Sequence, residues 1–264
     1  MKRIKIRISM IILAILLSAC NKGIVQENVG DRIGIIGAME VEVNSLKSSA
    51  NISKVTKTAD MEFCEGTLHG KDVVIVQSGM GKVNAGVCAS ILIDQFSCTH
   101  IINTGVGGSL DDRLGIGDIV VSTDAVQHDF DMTYSGYKIG EIPYTGLYAF
   151  EADERLRNAA VAAVKDSLPD VNVYEGRICS GDQFISTSEQ MERITSTFGG
   201  LCCEMEGAAI AQVCYLHKVP FVIIRAISDK PDETSSMEYE VFEKIVAKYS
   251  EKVVSYMLEH LTRD

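Results

Sequence analysis

The chain has 264 residues, of which 46% are hydrophobic and 23% charged, with 22 Gly, 4 Pro and no Trp; these proportions exclude a disordered, collagenous or low-complexity protein. Twenty-five basic against 36 acidic residues give a formal charge of −11, which argues against nucleic acid or an anionic polysaccharide as partner. No Pro- or Ser-rich linker interrupts the chain, so its bulk reads as one α/β domain.

Lys2, Arg3, Lys5 and Arg7 precede an apolar run from Ile11 to Leu17, and Leu17-Ser18-Ala19-Cys20 follows. This is the layout of a secretory signal, and the apolar run falls short of the ~20 residues that a membrane span needs. The Leu-Ser-Ala-Cys stretch resembles the bacterial lipobox. Residues 1–19 are therefore expected to be a signal peptide, Cys20 the lipid-bearing first residue and membrane anchor, and 20–31 a short tether ahead of a domain over 32–264. That address is extracytoplasmic, in the cell envelope; an unprocessed signal would leave the chain in the cytoplasm. Loss of the four basic residues leaves 21 against 36 acids, a charge of −15. The seven cysteines beyond Cys20 have no C-x-x-C spacing, so neither zinc nor a disulfide framework is signalled, and they read as small buried hydrophobes.

From Arg32 onward short apolar runs alternate with amphipathic stretches. Arg32–Ile36 is strand-like, and about 39–47 helix-like. Glu62–Leu68 and Asp72–Gln77 flank His69-Gly70-Lys71 as a hairpin would, which makes the sheet mixed. Lys82–Phe96 reads as a helix with Val83, Val87, Ile91 and Leu92 on its buried face, and His100–Asn103 as a buried strand. Further strands are expected at Asp118–Ser122, Gly176–Ser180, Cys202–Met205 and Pro220–Ile227. Helices are expected at Asp153–Ser167, capped by Asp153, at Gly207–His217 and at Glu238–Leu261. The polar, Tyr- and Gly-containing stretch from Ala125 to Ala149 fits neither period and reads as a functional loop.

Three places set a carboxylate just after a buried strand, where open α/β sheets present ligands: Glu40 and Glu42, Glu204 and Glu206, and Asp229. Each has a plainer alternative. Glu40 and Glu42 could merely complement a helix dipole, Glu204 and Glu206 could pair with a base such as Arg225, and Asp229 could be a turn residue before Lys230-Pro231. In an extended Glu204-Met205-Glu206 both acids would share one face, and ionised carboxylates suit a ribose diol because they accept what hydroxyls donate. Gly79-Met80-Gly81-Lys82 is not a phosphate loop, since the pattern would need Gly at Val76 and Ser or Thr at Val83. Asn103–Gly108 is a Gly-rich turn suited to close backbone approach, without the dinucleotide-binding spacing. His128-Asp129 lacks a partner at metal-ligand spacing and reads as a loop hydrogen-bond network.

Taken together, Gly34–Glu40, Ser78–Ala85, Ile102–Gly105, Gly117–Ser122, Ser180–Ile185, Glu204–Ala211 and Arg225–Asp229 resemble the 5′-methylthioadenosine/S-adenosylhomocysteine nucleosidase family, over the chain from about Arg32 to its end. The resemblance implies a three-layer α/β/α, nucleoside phosphorylase-like fold with a central mixed sheet, and a homodimer. It also implies hydrolysis of adenine 5′-thioribosides at the N-glycosidic bond, with no cofactor or metal; 5′-deoxyadenosine is a further candidate substrate. Asp229 would protonate adenine N7 with Ser228 positioning it, Glu42 would deprotonate the attacking water, and Glu206 with the Met205 backbone would bind the ribose hydroxyls. Phe184 and Ile185 would hold the purine, Met80, Met205 and Tyr239 would line the ribose and 5′-thio region, and Gly108 would bring backbone close to the substrate. Tyr137 and Pro143 match positions that approach a neighbouring subunit's site.

The chain departs from the family pattern in reading Val106 where a small or hydroxyl residue is common, Val41 where a third Glu is frequent, and Ser135 where an aromatic is frequent. Two other readings remain open at this level. A purine nucleoside phosphorylase would need Arg or backbone donors for phosphate, and neither Gly37–Glu42 nor Asn103–Gly108 contains an Arg. A non-catalytic surface lipoprotein binding nucleosides or a protein partner would explain the leader but not the three acids.

Overall fold

Ile33 and Ile35 of strand β1 (Arg32–Gly37) point into one apolar cluster and Ile36 into another, and all three are inaccessible. A strand apolar on both faces belongs in the middle of a layered α/β structure. The computed structural model describes residues 31–230 and 235–261, without the side chains of 235–247. Cys20, the leader and the tether up to Gly30 lie outside the described residues, and so does the side chain of Tyr239.

After β1 come helix α1 (Glu40–Ser49), strands β2 (Asn51–Thr58), β3 (Met61–Leu68) and β4 (Lys71–Gln77), and helix α2 (Lys82–Asp94). Strands β5 (His100–Ser109), β6 (Ile119–Gln127) and the two-residue β7 (Phe150–Glu151) follow, then helix α3 (Glu154–Ser167), strand β8 (Val173–Ser180) and helix α4 (Ser188–Phe198). The chain continues through β9 (Cys202–Glu204), α5 (Gly207–His217), β10 (Phe221–Asp229) and α6 (Ser235–His260). The sheet is mixed, as expected. β1 lies parallel to both β4 and β5, and β4, β3 and β2 run antiparallel in turn.

At its other end the sheet closes on itself. β5 runs parallel to β10, β10 antiparallel to β6, β6 parallel to β8, β8 parallel to β9, and β9 antiparallel to the end of β5. Five strands thus form a ring, and β5 pairs along one edge first with β1 and then, from Gly108, with β9.

Helices α1, α3 and α6 cover one face through Leu46, Leu156, Val164, Val254 and Leu258. Helices α2 and α5 cover the other, largely with small side chains: Ala85, Cys88, Ala89, Ala208 and Ala211. Small residues let the two helices sit close to the sheet, and this overturns the expected buried face of α2. Ile91 and Leu92 are buried, but Val83 is 76% and Val87 41% exposed, because the face that docks is the Ala/Cys face. The sequence reading also passed over β2, an exposed edge strand, and α4, whose start is set by a Thr187/Gln190 capping box and whose end by Gly199 in the left-handed region.

The 125–149 stretch is strand as far as Gln127, then a single 3₁₀ turn at Thr133–Ser135 and a bridge between Ile142 and Leu147. All seven described cysteines are buried and unpaired, consistent with their reading as hydrophobes. Asp153 caps α3 as expected, its carboxylate accepting from Leu156 N at 2.8 Å. Asp153→Ala is expected to destabilise the fold by about 1 kcal/mol, read as a lower urea midpoint at unchanged slope.

Candidate active site

The C-terminal ends of β1, β4, β5, β8, β9 and β10 converge on one cavity of about 360 Å3. Its lining includes Glu42, Met80, Gly108, Phe184, Ile185, Met205, Glu206, Ser228 and Asp229, so nine of the twelve residues assigned catalytic or substrate-binding roles from sequence meet in one place. Tyr137 and Pro143 do not line it; they sit, partly buried, in the segment between β6 and β7. The sequence reading missed Ala38, Met39, Gln183 and Cys203 as lining residues.

Glu42 stands in the first turn of α1, only 4% exposed, while Glu40 is exposed and outside the cavity. Its Oε2 accepts the Met39 amide at 2.9 Å and its Oε1 the Val106 amide at 3.0 Å, so two backbone donors from different strand ends orient it. Val106, where a small or hydroxyl residue is common in the family pattern, therefore contributes through its backbone. The approach of β5 depends on Gly105: a Cβ there would lie 2.4 Å from Glu42 Oε1. Burial raises the Glu42 pKa, against the pull of Arg225 and the amides of Met39 and Val106.

Glu204 and Glu206 do not share the face of an extended segment. β9 ends at Glu204, and Glu206 is already the N-cap of α5. The two acids consequently have separate surroundings. Glu204 is the ion-pair partner of Arg225, takes the Ser180 hydroxyl, and accepts Gly207 N at 2.8 Å, which anchors it to the start of α5. Glu206 Oε2 stays 3.9 Å from Arg225 Nη2 while its Oε1 accepts Gly81 N at 2.8 Å. The plainer reading thus holds for Glu204, which borders the cavity with its carboxylate already committed to these partners, whereas Glu206 borders it with fewer partners. Burial, and then the neighbouring charge of Glu204, push the Glu206 carboxyl up to about 7, with Arg225 and the Gly81 amide opposing.

At the end of β10 the pairing with β5 shifts register between Ile227 and Asp229, a bulge that re-aims the side chains there. Ser228 Oγ donates to Asp229 Oδ1 at 2.6 Å, and Asp229 is 2% exposed. Asp229 Oδ2 lies beside Gly108, where a Cβ would come within 3.2 Å of it. Phe184, 48% exposed, and Met80, 61% exposed, stand at the rim, and Ile185 is buried beneath. Among the described residues no group of His, Cys, Asp and Glu is arranged to hold a metal ion.

A carboxyl whose pKa is higher folded than unfolded favours folding only while it is protonated. For Glu206 that contribution is complete below about 4.5 and is lost as pH rises through about 7. Glu206→Gln is expected to gain stability over the parent chain across this interval, by up to about 3 kcal/mol at pH 8 relative to pH 4, read from urea unfolding at both pH values.

The sequence profile of the phosphorylase superfamily matches residues 32–259. The 5′-methylthioadenosine/S-adenosylhomocysteine nucleosidase of Shewanella loihica is 42% identical over 231 residues, covering 87% of this chain and 100% of that protein. Among solved structures, the corresponding nucleosidase of Colwellia psychrerythraea in complex with adenine aligns with a TM-score of 0.84 at 40% identity, over 88% of this chain and 96% of that one. The Neisseria meningitidis nucleosidase in complex with methylthio-immucillin-A aligns with a TM-score of 0.84 at 38% identity, over 88% and 100%. Likeness of this extent goes beyond a shared architecture: the chain belongs to the phosphorylase superfamily and, within it, to the 5′-methylthioadenosine/S-adenosylhomocysteine nucleosidases.

Proposed function

We propose that the protein hydrolyses the N-glycosidic bond of 5′-methylthioadenosine and S-adenosylhomocysteine, releasing adenine and the 5′-thioribose. The observation that carries this reading is the convergence of Glu42, Glu206 and Asp229, from three separate strand ends, on one cavity. Breaking the C1′–N9 bond sends its electron pair to the base and positive charge to the ribose. Asp229 supplies the proton that N7 gains. Glu42 takes a proton from the water whose oxygen bonds to C1′, and its raised pKa makes it a stronger base than an ordinary carboxylate. Glu206 accepts from the ribose hydroxyls and favours the developing cation. Phe184 and Ile185 hold the purine, and the Met80 and Met205 thioethers suit an apolar 5′-thio substituent.

Phosphorolysis fits less well. Among the described residues lining the cavity there is no Arg or Lys, and Glu42 would repel an anion where phosphate has to attack. The protein works, in this reading, as a homodimer held in the cell envelope by lipid on Cys20. Supporting the dimer are apolar side chains left in solvent on α2 and the segment after β6: Val83, Val87, Tyr134 and Tyr144. Supporting the anchor is the Leu17–Cys20 motif behind its basic and apolar leader.

The chain from Asn21 onward, given methylthioadenosine, is expected to release adenine equally with and without phosphate. Asp229→Asn should lower kcat by about 10²–10⁴-fold. Phosphate-dependent release would instead establish a phosphorylase, and no release from any 5′-substituted adenosine would favour a binding protein. Gly105→Ala, which drives a methyl group into the Glu42 carboxylate, is expected to lower kcat/KM on the order of 10²-fold in the same assay.

A further inference from the structure

Two walls of the cavity, the turn Met80–Gly81 and the loop Asp182–Ile185, leave different strands and share no strand pairing. They are joined by a ring of polar contacts outside the cavity. The Lys82 ammonium pairs with Asp129 Oδ1 and donates to Gln127 Oε1 at 3.1 Å, reaching from the first residue of α2 to the end of β6. Asp129 Oδ2 accepts the Asp182 amide at 2.9 Å, and Asp182 Oδ1 in turn accepts the Lys82 amide at 2.8 Å. Gln127 extends the ring by donating to Gln212 of α5, the helix whose N-cap is Glu206.

We propose that the Lys82–Asp129 pair is a positioning clamp that sets the ribose-facing turn and the purine-facing loop at a fixed separation. For its kinetic consequence the proposal rests on the hydrolase reading. Gly81, one residue before Lys82, gives its amide to Glu206, and Asp182 precedes Gln183, Phe184 and Ile185 on the cavity wall. Neither Lys82 nor Asp129 lines the cavity, so they act through these neighbours.

Three observations support more than a surface ion pair. Both side chains are only 17% exposed, where solvent screens the pair little. Burial would raise the Asp129 pKa, yet the Lys82 ammonium and the Asp182 amide hold it below the ordinary carboxylate value. The loop also comes too near the clamp for any side chain at Gly181: a Cβ there would lie 2.4 Å from His128 Nε2 and 3.1 Å from Asp129 Cγ.

The test compares Lys82→Met, Asp129→Asn, their double variant and Lys82→Arg in the full domain. A misplacement of about 1 Å costs on the order of 10²-fold, so each single neutralisation is expected to lower kcat/KM on that scale, mostly through a higher KM. The double variant should be no worse than the weaker single, because one interaction is lost in all three, and Lys82→Arg should recover most of the loss. Losses that multiply in the double variant, or single variants within twofold of the parent, would overturn the clamp.

A second arm needs no catalysis. Backbone hydrogen exchange is expected to accelerate in both segments 78–84 and 181–187 in either single variant. Acceleration confined to the segment nearest the substitution would overturn the proposal. Asp182→Ala, at an exposed position where misfolding is not at issue, runs the same test in reverse and should accelerate 78–84. Should the parent chain release no adenine, the hydrolase reading fails while the exchange arm still decides the clamp.

Discussion

One buried cation organises this protein. Arg225, 1% exposed on β10, pairs with Glu204 at the end of β9 and donates to Asn103 Oδ1 of β5 at 2.6 Å, while Asn103 Nδ2 donates to the Ile36 carbonyl of β1 at 3.0 Å. Ser180, at the end of β8, joins through Glu204. Five strands are thereby tied to one guanidinium. Removing a buried charge from such a pair leaves its partner uncompensated and typically costs about 3–5 kcal/mol, so the contact ties the ring's stability to the site's geometry. Arg225 also faces Glu206 and Glu42, and its field keeps both acids from rising as far as their burial alone would take them.

Burial and charge are therefore balanced differently at each acid. Glu204 is saturated by Arg225, a hydroxyl and backbone amides. Glu206 keeps one amide donor and a more distant cation. Glu42 has two amides, one on each oxygen. Acids only two residues apart in sequence, both bordering the cavity, thus separate into one committed to structural partners and one left with fewer, and the difference lies in where β9 stops and α5 begins.

Much of the site was legible because its residues follow apolar runs closely: Asp229 ends a strand, Glu206 comes just after one, and Glu42 lies in the first turn of the helix that follows β1. The Asp153 cap and the β3–β4 hairpin were legible for the same reason, since both are settled by neighbours in sequence. What could not be read depended on distant partners. The outward turn of Val83 and Val87 follows from which face of α2 meets α5, and closure of the sheet follows from β9 returning to β5 over roughly 95 residues. Glu204 and Glu206 could be told apart only once Arg225 was placed. Strand β2 escaped notice because, with its side chains mostly in solvent, it has no apolar stripe to announce it.

That same strand follows from the closed ring. An open sheet has two outer borders at which a foreign strand could add by backbone pairing; here one side has curled into the ring, and among the described strands β2 is the long one left with an open border, the two-residue β7 being the short one. It carries Lys54 and Lys57, the first paired with Glu65 of β3, and a register shift between Ile52 and Lys54 breaks its regular pairing. Charge and irregularity thus sit on the longest border at which intermolecular strand addition could begin, away from the apolar strands at the centre.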